Sequence, residues 1–334
     1  MAFFGGKKKK TETPTQQPRM VQEPELKPTA EPHLERINWL GLKVFDVLGE
    51  SLFLEEKLYL KHRDEGNSSI GHHVVYDCET LQLELVEGGQ TWVSRAKPRQ
   101  GNPDVPLIAS FAVDKIEQIA KQLNEAELLT TQIFDQGWVA SLLFFDAERN
   151  LWQVNETRNA PPVGLSHLQR IGALWLAVED LSAQVAFYRE VLGLPLSDLG
   201  NRPRPITSEA ERQHTDEMGE DTLEQLGPLP KPVFCADAHN DEILGDGATF
   251  FRQGVRLVLT PGGRKREGGH EKHWGRDTSF MLGFQTNNLT GMAEKLRQAG
   301  VKVSQPFYAV HSFSRHQQAF RFTDPEGNVC QVSG

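Results

Sequence analysis

The residues of this chain whose types and spacing could do chemistry are mainly histidines. His270-Glu-Lys-His273 sets two imidazoles at a spacing that a metal pair can use. However, glycines surround the pair and no helical pattern supports it, so the rings have no rigid mount. His311 and His316 flank Arg315 in Tyr308-Ala-Val-His-Ser-Phe-Ser-Arg-His. This set could hold an anionic ligand or move a proton near neutral pH, or it could be a polar loop between strands. His72-His73 adjoins a strand and reads as a surface pair. The three cysteines, Cys78, Cys235 and Cys330, are odd in number and far apart. With no Cys-x-x-Cys pair, they argue against a disulfide framework and a structural zinc site, and fit a reducing compartment. Gly262-Gly263 and Gly268-Gly269 lack the following helix that phosphate binding needs, so no nucleotide cofactor is implied. No cofactor of any kind is expected.

The elements that must position any site follow from length and pattern. The chain has 334 residues, 38% apolar and 24% charged, enough for two domains with cores. No run of about 18 apolar residues is present, and Met-Ala-Phe-Phe leads into four lysines; neither a membrane span nor a secretory signal is expected. The expectation is a soluble, cytoplasmic protein. A net charge of −9 disfavours general nucleic-acid binding. Residues 1–35, rich in proline and polar side chains, read as a disordered tail. A second irregular stretch, about 200–247, is an acidic insertion, and Gly262 to Arg276 reads as a mobile loop.

Between these stretches, strands and helices alternate. Ile171 to Val178 is a strand followed by an amphipathic helix over Ala183–Leu194. Val255–Thr260 and Phe280–Gln285 are strands, and Leu289–Ala299 is a helix that Gly300 ends. Phe320–Thr323 and Val329–Val332 form a hairpin around Asp324-Pro-Glu-Gly-Asn328. The first half repeats this order: strand Leu40–Val44, helix Ser51–Leu60, hairpin Val74–Val86, strand Leu107–Val113, helix Ile116–Leu128, and hairpin Leu142–Val154. The recurring unit is strand, helix and about three strands, present four times.

Two segments carry a resemblance. Ala173-Leu-Trp-Leu-Ala-Val-Glu-Asp-Leu with Phe187-Tyr-Arg-Glu-Val-Leu-Gly-Leu194 resembles the opening module of the vicinal oxygen chelate superfamily, which includes glyoxalase I, the bleomycin-resistance proteins and the extradiol dioxygenases. Phe320-Arg-Phe-Thr-Asp-Pro-Glu-Gly-Asn-Val-Cys-Gln-Val resembles its closing hairpin. In the N-terminal half, Asp146-Ala-Glu-Arg-Asn replaces the Asp-Pro-x-Gly-Asn turn, and the match rests on repeat order. The resemblance implies an α+β fold of four βαβββ modules forming two glyoxalase-like curved mixed-sheet domains. The expected division is 36–160 and 161–334, with the acidic insertion inside the second domain.

The resemblance also implies a metal held by His, Gln or Glu from the first and last strands of each module. Read onto this chain, those positions are Ala173, Val258, Met281 and Gln331 in the second half, and Trp39, Glu84, Ile108 and Gln153 in the first. Most cannot ligate, so no metal site is expected. The expected cavity residues are Trp175, Ala173, Met281, Gln331, His311, Arg315, Trp39 and Gln153, an aromatic and apolar lining suited to a flat organic ligand. Cys330 should face the helix side. The leading expectation is a metal-free protein that binds a small organic molecule or a protein partner. One alternative is a lyase or dioxygenase with a shifted metal set drawn from Gln331, His311, His316 and Glu326. Another is a scaffold that recruits partners through the insertion and tail. Oligomeric state is left open.

Overall fold

The first strand, β1 (Leu34–Val44), runs into Asp46, whose carboxylate accepts the Gly49 N–H at 2.9 Å and starts helix α1 (Val47–Glu56). The apolar pattern places this helix over Ser51–Leu60. The Asp46 cap starts it at Val47 instead, and Tyr59, at φ 58°, lies beyond its end. The computed structural model describes residues 31–68, 71–88, 107–158 apart from 136, 138 and 149, then 167–196, 248–261, 280–308 and 317–334, with 162, 164, 263 and 265. The tail to residue 30, the acidic insertion, Cys235, the His270–His273 pair, and His311, Arg315 and His316 lie outside the described residues.

The first module is completed by β2 (His62–Ser68), β3 (Gly71–Cys78) and β4 (Leu81–Glu87). The polar sequence of β2 gives no strand pattern; it forms as an edge strand paired only with β3. The second module comprises β5 (Leu107–Val113), α2 (Ile116–Glu125), β6 (Phe134–Asp135), β7 (Val139–Phe145) and β8 (Leu151–Thr157). The third comprises β9 (Ile171–Val178), α3 (Leu181–Ala186) continuing as a π turn through Val191, β10 (Ala248–Arg252) and β11 (Val255–Pro261). The fourth comprises β12 (Phe280–Thr286), α4 (Leu289–Gln298), β13 (Phe307–Tyr308), β14 (Gln318–Thr323) and β15 (Val329–Ser333).

These strands make two curled mixed sheets. The first has the order β13-β14-β15-β12-β1-β4-β3-β2, the second β10-β11-β9-β5-β8-β7-β6. Sheet one therefore joins the first module to the fourth, and sheet two joins the second to the third. Each sheet crosses the 36–160 and 161–334 halves of the chain. A steric reason lies at the centre of sheet one. Trp39 on β1 faces Gly283 on β12, where an added Cβ would stand 2.6 Å from the Trp39 Cβ. At the corresponding place β5 carries Ser110, which instead faces the small Ala173 of β9. The indole thus selects the strand that offers glycine.

One face of each sheet, together with the helices, contributes to a single large core that includes Leu40, Leu83, Phe111, Trp152, Leu174, Tyr188, Phe284 and Phe320. Cys330 lies in this core, as the alternation beside Gln331 predicts. The opposite faces, called inner faces below, form two smaller clusters. Trp39, Val86, Met281 and Val329 make up the first, while Ile108, Leu143, Leu151, Ala173, Trp175 and Val258 make up the second.

Two matched joints tie the sheets together. In the β14–β15 turn, Asp324 accepts the Asn328 N–H at 2.8 Å and its side-chain amide at 2.9 Å, and the Gln184 amide of α3 also donates to it. Glu326 of the same turn accepts the Asp180 N–H at 2.8 Å. The β7–β8 turn repeats this on α1. Asp146 accepts the Asn150 N–H and side-chain amide, each at 2.7 Å, and Glu148 accepts the Asp46 N–H at 2.8 Å. Because each turn belongs to one sheet and each helix to a module of the other, both joints bridge the sheets.

Candidate functional site

The eight positions implied by the resemblance fall on the inner faces, in different company from that expected. The sequence groups Met281 and Gln331 with Ala173 and Val258, and Trp39 and Glu84 with Ile108 and Gln153. Sheet pairing instead puts Trp39, Glu84, Met281 and Gln331 on sheet one, and Ile108, Gln153, Ala173 and Val258 on sheet two. Of the expected cavity residues, Trp39, Met281 and Gln331 share one inner face, whereas Trp175, Ala173 and Gln153 share the other. Met281 and Gln331 therefore do not line a common surface with Trp175, because β12 pairs with β1 while β9 pairs with β5.

On sheet one, the Trp39 indole N–H donates to Glu84 Oε2 at 2.8 Å, with both residues buried. Burial pushes the Glu84 carboxyl well above its ordinary range, opposed by the Trp39 hydrogen bond and the charge of Arg321. Arg321, on β14 opposite Gln331, sends its Nε–H to Gln331 Oε1 at 3.4 Å, and its guanidinium lies 4.7 Å from the Phe307 ring centre. Arg321 was not singled out from sequence. Its signal was its place in Phe-Arg-Phe, a charged residue alternating with two core aromatics. His73, read as half of a surface pair, is buried on β3, and burial lowers its imidazole pKa; His72 beside it reaches Glu65 at 3.1 Å.

Sheet two is built differently. Across its centre run Arg256, Ala173, Ser110, Gln153 and Leu143 in register. Gln153 Nε2 donates to Asn155 Oδ1 at 2.8 Å, Ser141 Oγ bonds the same oxygen at 2.6 Å, and Asn155 Nδ2 donates to Ser110 Oγ at 2.6 Å. Beside this buried amide and hydroxyl network lies an apolar row of Val258, Trp175 and Ile108. Trp175 is 2% exposed, and its indole N–H finds no acceptor among the described residues. Ser110, Ser141 and Asn155 also escaped the sequence reading, because two serines and an asparagine on strands carry no motif.

A divalent metal needs about three protein donors on such a surface. Sheet one supplies Glu84 and Gln331 beside the non-ligating Trp39 and Met281, and Glu84 already accepts an indole hydrogen bond. Sheet two supplies only Gln153, beside Ile108, Ala173 and Val258. Among the described residues no cluster of three His, Cys, Asp or Glu side chains could hold an ion. The family's metal therefore does not fit the residues at these positions. Of the shifted set, Gln331 and Glu326 are described: Gln331 Oε1 accepts from Arg321 on the inner face of sheet one, and Glu326 Oε1 accepts the Asp180 N–H in the sheet joint.

The family model of the Glyoxalase/Bleomycin resistance protein/Dioxygenase superfamily matches residues 164–332. The chain belongs to that superfamily. Its fold is shared with solved structures at low identity. One is a putative dioxygenase from Bacillus subtilis, with TM-score 0.57 and 11% identity, covering 90% of this chain and 85% of that one. Another is glyoxalase I from Zea mays, with TM-score 0.55 and 12% identity, covering 89% and 92%. No curated protein sequence matches the chain. The glyoxalase-like fold of two curled sheets is thus established across both halves. Among the described residues no helix is long and apolar enough to cross a membrane.

Proposed function

We propose that this glyoxalase-superfamily protein binds a small, flat, largely apolar organic molecule on the inner face of sheet two, without a metal ion. The observation that carries the reading is Trp175. A buried indole N–H without an acceptor costs about 1–3 kcal/mol, so it is expected to find a partner when the site is filled. Val258 stands beside Trp175 in register, as Glu84 stands beside Gly41 on sheet one, so the position that supplies an acceptor there supplies only carbon here. A ligand with an apolar ring body and one carbonyl or carboxyl oxygen fits this face. Its ring would rest on Ile108, Ala173 and Val258, and its oxygen would meet the indole N–H.

The experiment has two parts. Metal analysis of protein purified without chelator should find no stoichiometric ion; near-equimolar iron, zinc, manganese or nickel, lost on Gln331→Ala, would overturn the metal-free reading. A thermal-shift screen of aromatic ketones, aromatic acids and thiol conjugates should yield stabilising compounds. Trp175→Ala should abolish their effect, and undiminished stabilisation in that variant would remove Trp175 from the site.

A further inference from the structure

The two joints between the sheets are built on one plan and differ at one chemically decisive place. In the joint on α3, Gln184 is an amide donating to Asp324. In the joint on α1, the corresponding residue is Glu50, which is 1% exposed, acts on the buried carboxyl of Asp146 and keeps its Oε1 without a donor among the described residues. Both carboxyl groups of a buried pair cannot ionise together in contact; one must carry the proton.

The surroundings decide which one carries it. Asp146 already accepts three N–H groups, the Asn150 backbone and side-chain amides and the Trp152 indole, all at 2.7 Å. Burial raises the Asp146 carboxyl as well, but those donors favour its charged form. Glu50 accepts one, the Glu148 N–H at 3.2 Å. Protonated Glu50 then presents an O–H to Asp146 where Gln184 presents an N–H to Asp324. The field on Glu50 is acidic throughout: Asp146 and Glu148 act on it from the turn. On the neighbouring strand β3 the Tyr76 hydroxyl is engaged with Ser51 at 2.6 Å and with Glu55 at 3.3 Å.

We propose that the Glu50–Asp146 pair is a proton-operated clasp between the two sheets, closed when Glu50 carries its proton, and that the Gln184–Asp324 joint is its permanently closed amide counterpart. Loss of the Glu50 proton places two adjacent negative charges in a buried joint and loosens the β7–β8 turn from α1. The other joint keeps its donor at any pH at which the protein is folded. Above about pH 7, where Asp324 has completed its titration, the sheets thus loosen at one end only.

The direction follows from linkage. Burial first, then Asp146, raise the Glu50 pKa well above the ordinary range in the folded state, so the folded protein holds a proton that the unfolded chain releases. The clasp's contribution is full below the ordinary carboxylate pKa and is lost as pH rises through the raised value. Asp324, pushed by burial up to about 6, titrates in the lower part of the same range and with the same sign, so the two joints are compared above pH 7.

The test compares the full chain with E50Q and Q184E by thermal melting and by hydrogen exchange, corrected for intrinsic rates, from pH 5 to 8.5. E50Q should melt about 2 °C above wild type at the alkaline end and no higher than wild type at pH 5. From pH 7 to 8.5, protection of the 146–150 turn should fall in wild type and stay level in E50Q, while the 324–328 turn stays level in both. Q184E should make the second turn pH-dependent as well. A constant melting difference between wild type and E50Q across the range would overturn the proposal. So would an E50Q chain that does not fold, because the amide is predicted to close the joint.

Discussion

The two inner faces answer the same architectural question in opposite ways. On sheet one a tryptophan sits on the outer of two neighbouring positions of β1, packs over Gly283 and gives its N–H to Glu84. On sheet two the tryptophan sits one inward-facing step further along β9, next to Val258, and its N–H is left without an acceptor among the described residues. The first face satisfies itself. The second gathers its polar groups into a closed network beside an apolar row and leaves one donor unspent. The corresponding inner-face positions are therefore filled in two ways: one face pairs its indole donor with a carboxylate, and the other leaves its indole donor without an acceptor among the described residues.

Substitutions can break or sharpen this contrast. The largest effect is expected from Asn155→Ala, which removes the hub of the sheet-two network and strips hydrogen bonds from Ser110, Ser141 and Gln153. A loss of about 3 kcal/mol in urea unfolding is expected, and a near-neutral result would show that the network does not hold that face. Gly283→Ala comes next, at about 2 kcal/mol, because its Cβ must enter the space of Trp39. The counterpart change Ser110→Gly should cost less, through lost hydrogen bonding alone. The third pair addresses the contrast directly. Trp39→Phe should cost about 1–2 kcal/mol, since it takes the donor from buried Glu84, whereas Trp175→Phe should cost under about 0.5 kcal/mol in the ligand-free protein. Equal costs for the two would erase the difference between the faces.

The smallest effect depends on pH. Burial raises the Glu84 pKa in the folded state, so its contribution is full at low pH and declines as pH rises through that raised value. Glu84→Gln keeps an oxygen for the Trp39 N–H and removes the decline. Unfolding curves of the two proteins should coincide near pH 5 and separate toward pH 8.5, with the variant more stable. A variant less stable at every pH would mean that the ionised carboxylate is what the Trp39 N–H requires.

The repeat order, the strands around Trp175 and Gln331, and the superfamily were legible because they rest on alternation, on a helix opening at Asp180-Leu181 and on the turn Asp324-Pro-Glu-Gly-Asn328. Which modules share a sheet was not, since that depends on the contact between Trp39 and Gly283, residues 244 positions apart. For the same reason Trp175 and Met281, expected in one cavity, lie on different faces. Ser110, Ser141 and Asn155 stayed hidden for a different reason: each is ordinary alone, and only the register of β5, β7 and β8 makes them a unit. Glu50 was hidden because the apolar pattern starts the helix only at Ser51, and its place beside Asp146 shows only when compared with Gln184 beside Asp324.

The nesting of one sheet inside the other has a consequence for the birth of the molecule. The central contact of sheet two, Ser110 with Ala173, closes over 63 residues, and it can form once the middle of the chain has left the ribosome. Sheet one waits for the last module, so the edge of β1 that will receive β12 stays open through most of synthesis. The first module is thus the segment most in need of protection during translation, and C-terminal truncations should strand it while leaving sheet two whole.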